Sequence, residues 1–112
     1  MNVRLLAITT VLLLVISGCG QSYNPERDKD CPGCDLIGVQ LESANLSGAS
    51  LTGASLSYAD FTEANLYEAK LYGADLSHAN LTGANLDGAN LDGVIGADFS
   101  DARNVSEKYL KR

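Results

Sequence analysis

"LSHANLTGANLDGANLDG", residues 76–93, places leucine at positions 76, 81, 86 and 91, with alanine two residues ahead of each. A period of five advances about 500° around an α-helix, so successive leucines would land roughly 140° apart and spiral around it. A straight strand fails as well, because an odd period sends consecutive leucines to opposite faces. Every leucine can face one interior only if the chain turns a corner between them, which makes a coil.

The phase runs far beyond the quoted stretch. Calling the large apolar position i, it is filled by Leu36, Leu41, Leu46, Leu51, Leu56, Phe61, Leu66, Leu71, Leu76, Leu81, Leu86 and Leu91, twelve units without a slip. Position i−2 reads Cys34, Val39 and then alanine from Ala44 to Ala89, whereas i−1 is polar throughout. Small-inside, polar-outside, large-inside is a strand-like alternation. Serine, threonine or aspartate is common at i+1, and glycine at i+2 (Gly38, Gly48, Gly53, Gly73, Gly83, Gly88, Gly93) offers the positive φ that a tight corner needs.

These units resemble the pentapeptide-repeat family, whose motif reads A-(D/N)-L-x-x, over residues 34–93. The resemblance implies an all-β fold: a right-handed quadrilateral parallel β-helix with four units per coil, here about three coils with neighbours about 4.8 Å apart. Its lumen is expected to be filled by Leu46, Leu51, Leu56, Phe61, Leu66, Leu71, Leu76, Leu81, Leu86 and Leu91, with room beside each for alanine only.

A stacked repeat this short needs its ends covered. The repeat domain is expected over 31–99, its last A-D-F unit at Ala97, Asp98 and Phe99 shifted out of phase. Residues 100–112 read as a capping helix, with Ser100 as N-cap, Val105 and Tyr109 on one face, and Lys108, Lys111 and Arg112 near its end.

The other end has a different character. "MNVRLLAITTVLLLVISGC" has Arg4 in a short leader, an apolar run from Leu5 to Ile16, and small residues before Cys19, the layout of a secretory signal. The run is short for a membrane-spanning helix. "ISGC" resembles the lipobox of bacterial lipoproteins, which implies a signal peptide over 1–18, diacylglycerol acylation of Cys19, and anchorage in the cell envelope facing the periplasm or exterior. The rest of 19–30 is expected to be a polar, flexible tether.

"CPGC" at 31–34 then admits a disulfide, a pair of buried thiols, or a redox pair. Metal is disfavoured, since the single histidine, His78, falls at an outward corner and no second cysteine pair completes four ligands. Pro-Gly suits the middle of a type II turn, whose ends are close enough for Cys31 and Cys34 to bridge in an oxidising compartment.

No catalytic constellation emerges, and no cofactor or metal is expected. Carboxylates such as Asp87 and Asp92, or Glu63 and Glu68, project from different faces as solvated groups. Tyr58, Tyr67 and Tyr72 at corner positions offer a modest exposed aromatic patch for a protein partner. The chain carries a formal charge of −6, and removal of Arg4 with the leader leaves seven basic against fourteen acidic groups, which disfavours nucleic acid. Some pentapeptide-repeat proteins are acidic rods that mimic duplex DNA and occupy DNA gyrase, but this chain is short for that and its leader directs it out of the cytoplasm. The expectation is a non-enzymatic, membrane-anchored structural or interaction module, with a periplasmic thiol–disulfide protein using Cys31 and Cys34 as the alternative.

Overall fold

A computed structural model describes residues 15–16 and 21–110. The five-residue unit dictates its local geometry. The carbonyl of each i residue accepts the N–H three residues on, as Leu41 does from Ala44 at 3.1 Å and Leu51 from Ala54 at 3.1 Å, closing a β-turn at every corner. The third residue of each turn has positive φ, as a type II turn demands: Gly48 lies at 72° and Gly53 at 68°. Between corners only a short extended piece remains, so the sheet appears as isolated parallel bridges rather than long strands. These join i−1 residues twenty apart, Asp35 to Ser55 to Asp75 to Ile95 on one side and Gln40 to Asp60 to Asn80 on the next, so four units complete a coil.

Each rung is hydrogen-bonded in both directions. Asn65 donates to the Ala44 carbonyl at 2.9 Å while Leu46 donates to the Asn65 carbonyl at 2.8 Å, and the corner adds Gly48 N–H to Tyr67 at 2.7 Å. The repeated apolar side chains close the interior. Leu46, Leu51, Leu56, Phe61, Leu66, Leu71, Leu76, Leu81, Leu86 and Leu91 are all buried, and alanines such as Ala49, Ala54 and Ala64 fill the space beside them. Among the described residues no charged side chain enters this lumen.

Corners are not reserved for glycine. Ser43, Tyr58, Glu63, Glu68 and His78 occupy the same i+2 position with φ between 54° and 61°. Such a conformation costs a residue with a Cβ about 1–2 kcal/mol, and the rungs on both sides hold it in place. Gly83 has a second duty, because a Cβ there would meet the carboxyl group of Glu63, which lies over it from the preceding coil.

Both ends depart from the sequence expectation. Residues 23–30 are not a free tether. Asn24 and Pro25 open a single tight turn, with the Asn24 carbonyl accepting from Arg27 at 3.1 Å and Asp28 at 2.7 Å, and its side chain accepting from Glu26 N–H at 2.9 Å. The turn lays Tyr23, 2% exposed, over the open lumen and sends its hydroxyl to the Lys29 carbonyl at 3.0 Å. Before it, β1 (Val15–Ile16) pairs antiparallel with β2 (Gln21–Ser22).

At the far end, the expected helix over 100–112 contracts to α1 (Glu107–Leu110). The chain keeps coiling instead, because Arg103 completes a rung by donating to Ala84 at 2.8 Å and accepting from Leu86 at 2.9 Å. Ser100 therefore caps no helix; its N–H is held by the Asp98 side chain at 3.0 Å. The last bridge joins Asn85 to Arg103, eighteen residues apart rather than twenty, so the shifted Ala97–Phe99 unit belongs to a shortened fourth turn. Lys111 and Arg112 lie outside the described residues.

Candidate interaction surface

With the lumen filled, chemistry can occur only on the outer faces and at the ends. The face-lining i−1 residues have a task beyond solubility. Asn45, Asp60, Asn65, Asp75, Asn80, Asn85 and Asn90 each accept the N–H of the residue two positions on, at 2.9–3.2 Å. That N–H points out of the ladder, and the short side chain closes an Asx turn on it. The spacing of Asn or Asp two residues before Ser, Thr or Asp was the available sequence signal, and the reading of i−1 as merely polar passed over it. Serine hydroxyl and amide bonds hold the Asp75 carboxyl below its usual range, with a smaller contribution from the charge of His78, against weak desolvation.

The aromatic residues do not gather into one patch. Tyr58 stacks on His78 at 4.8 Å between ring centroids and 15° between planes, one coil above the other on the same corner. Tyr67 and Tyr72 are exposed on other corners. A hydrogen bond to Glu68 raises the Tyr67 hydroxyl above its ordinary value, with the Glu68 charge, desolvation and Asp87 adding to the shift.

A shallow groove of about 620 Å³ opens beside His78, where the shortened fourth turn misses a rung. The Ala79 carbonyl, flanked by satisfied rungs at Ala74 and Ala84, receives no backbone N–H among the described residues. Asn80, Thr82, Asp98 and Asp101 line the groove. Among the described residues no group of three or more His, Cys, Asp or Glu side chains is placed to hold a metal ion.

Cys31 and Cys34 are joined by a disulfide across the first corner, with Cα atoms 5.4 Å apart and Gly33 at a φ of 70°. Beside it, side chains supply what a preceding coil would have supplied. Asp30 Oδ1 accepts the Ser50 N–H at 2.8 Å, and Lys29 Nζ donates to the Ser47 carbonyl at 3.4 Å. Burial, followed by the charges of Asp30 and Asp28, pushes the Tyr23 hydroxyl far above its ordinary value.

The opposite end is covered by Tyr109. Its hydroxyl accepts from Leu91 N–H at 3.1 Å and donates to Asp92 Oδ1 at 3.0 Å, while Lys108 pairs with the same carboxylate at 3.1 Å. The Lys108 bond, then the Tyr109 bond, lower the Asp92 carboxyl against slight desolvation. Cys19 lies outside the described residues, as does the leader apart from β1, and no described helix is long and apolar enough to cross a membrane.

The family model described as pentapeptide repeats matches eight copies over residues 34–71 and 59–103. Among solved structures, the chain is similar to a pentapeptide repeat protein from the Arabidopsis thaliana thylakoid lumen, at 31% identity over 68% of this chain and 54% of that one, with a TM-score of 0.60. It thus spans about half of that protein's length. A second likeness is to HetL, a pentapeptide repeat protein involved in heterocyst differentiation regulation from the cyanobacterium Nostoc sp. strain PCC 7120, at 38% identity over 58% and 36% of the two chains, with a TM-score of 0.36. A third is to QnrB1, a plasmid-mediated fluoroquinolone resistance protein, at 23% identity over 65% and 44%, with a TM-score of 0.39. No curated protein matches.

Proposed function

The chain belongs to the pentapeptide-repeat family, and from that premise we propose that it is a non-enzymatic, membrane-anchored lipoprotein whose coil is a structural or protein-interaction module of the bacterial envelope. The observation that carries the module reading is the closed lumen: with leucine and alanine filling every side, recognition falls to the outer faces. Family members of this kind form right-handed quadrilateral β-helices, whose faces are stiff. Asx turns repeated along the faces fix their polar groups in rows, a regular surface that a protein partner can match.

The anchor rests on the sequence: the apolar leader, the "ISGC" box and Cys19. Two or more acyl chains hold a protein on a membrane stably. The intact mass of protein extracted from bacterial membranes tests this, taken before and after reduction and alkylation. The expected mass begins at Cys19, includes acyl chains, and gains two alkyl groups only after reduction. A full-length, unacylated mass from the cytoplasm overturns the anchor and returns the gyrase-occupying reading to consideration.

A second reading, a thiol–disulfide protein, draws on one observation: Cys34 is only half-buried within its disulfide. A redox pair, once reduced, alkylates rapidly at neutral pH, whereas a structural bridge resists mild reductant.

A further inference from the structure

The N-terminal end of the coil lies close enough to Cys19 to fix how an anchored molecule stands. Tyr23 is locked over the first coil, and Lys29 and Asp30 bond to Ser47 and Ser50 of that coil. The residues between an acylated Cys19 and this fixed point are Gly20, Gln21 and Ser22 alone. Four Cα steps span at most about 14 Å. A lipid on Cys19 therefore holds the cap against the headgroup layer, where the sequence alone suggested a long leash.

Charge favours the same orientation. The cap mixes Arg27 and Lys29 with Glu26, Asp28 and Asp30, and Arg27 is already paired with Asp28 at 2.6 Å. The side through Gln40, Asp60 and Asn80 carries Glu42, Asp60 and Glu63 with no lysine or arginine. Laid flat on an anionic bilayer, that side would press uncompensated carboxylates within a Debye length of about 8–10 Å of like charge. The mixed-sign cap is the less repelled surface.

We infer that the N-terminal cap, residues 23–30 with the first coil, is a membrane-facing surface, and that the coil stands end-on with its fourth turn outermost. The inference rests on the proposed acylation of Cys19. It assigns the lipid surface to one end and leaves the C-terminal end and the upper faces to a protein partner.

Two exposed isoleucines make matched probes. Ile37 in the first coil and Ile95 in the fourth lie on the same side, at 58% and 56% exposure. Their rungs are three steps apart, about 14 Å. Ile37→Cys and Ile95→Cys, each in the full chain with its acylation verified by mass, are placed on phosphatidylethanolamine–phosphatidylglycerol vesicles and labelled with a bulky maleimide-polyethylene glycol. The Ile37→Cys variant should label several-fold more slowly than Ile95→Cys on vesicles, and at an equal rate once detergent removes the bilayer. A Gly/Ser spacer of about 15 residues before Tyr23, with a mean reach of roughly 20 Å, should abolish the difference. Equal rates on acylated, vesicle-bound protein overturn this inference alone; a mass without acyl chains overturns the lipid reading and the inference with it.

Discussion

The two ends of the coil meet the same demand, an open lumen and a row of unpaired backbone groups, by different means. At the N-terminus the cover is local: Tyr23, Lys29, Asp30 and the Cys31–Cys34 bridge all lie within a dozen residues of one another and of the first rung. At the C-terminus it is remote, since Tyr109 reaches back to Leu91 and Asp92 across a shortened turn. The N-terminal cover is also drier, as Tyr23 is buried and Tyr109 only half-buried. The difference teaches that an apolar plug and a covalent corner secure one end, whereas exposed hydrogen bonds secure the other.

The largest effect should follow from removing the plug. Tyr23→Ala is expected to cost about 3 kcal/mol in chemical denaturation, as large-to-small changes of buried aromatics do. A cost no larger than that of Tyr109→Ala would break the distinction between the ends. Between them, Ala64→Leu should destabilise by roughly 1–3 kcal/mol through overpacking of a fully buried alanine site, whereas its outward neighbour Asn65→Ser should shift stability little. Equal thermal shifts for that pair would refute the assigned phase.

Reducing the disulfide closes a smaller account, because its loop is short. Chain entropy alone gives about 2 kcal/mol for a four-residue loop. Hydrogen exchange should show the loss concentrated at the first coil, near Gly33 and Ser50. Tyr109→Phe, which deletes the hydroxyl shared by Leu91 and Asp92, should cost about 1 kcal/mol, read from the denaturation midpoint at unchanged m-value.

The smallest effects are in pH, and they have opposite sign. Tyr23 has a folded-state value raised above its unfolded value of about 10, so its contribution is complete below that and is lost as pH rises through the folded value. Asp92 is depressed, so its contribution is complete above the ordinary carboxylate range and is lost as pH falls through the folded value. Melting temperatures across pH should therefore show an alkaline loss that Tyr23→Phe removes and an acid loss that Asp92→Asn removes.

The lumen was legible because the same five-residue instruction is repeated: each leucine meets neighbours that carry the same pattern. The corners were half legible. Glycine announced them, but Tyr58, Glu63 and His78 adopt the same positive φ without any local preference that declares it. The ladder on either side over-determines their backbone. Tyr23 was illegible for the opposite reason. It sits outside the period in a polar run, and only the coil it covers makes it core.

By itself, then, the sequence determined the phase, the filled lumen, the four-unit coil and a candidate lipid site at Cys19, all carried by local or repeated patterns. Tertiary structure alone decided that residues 23–30 are cap rather than leash, that Arg103 joins the ladder instead of a helix, and that Tyr109 seals the last turn. Those outcomes depend on which backbone groups remain unpaired once the coil has closed. No residue's own propensity can anticipate that count.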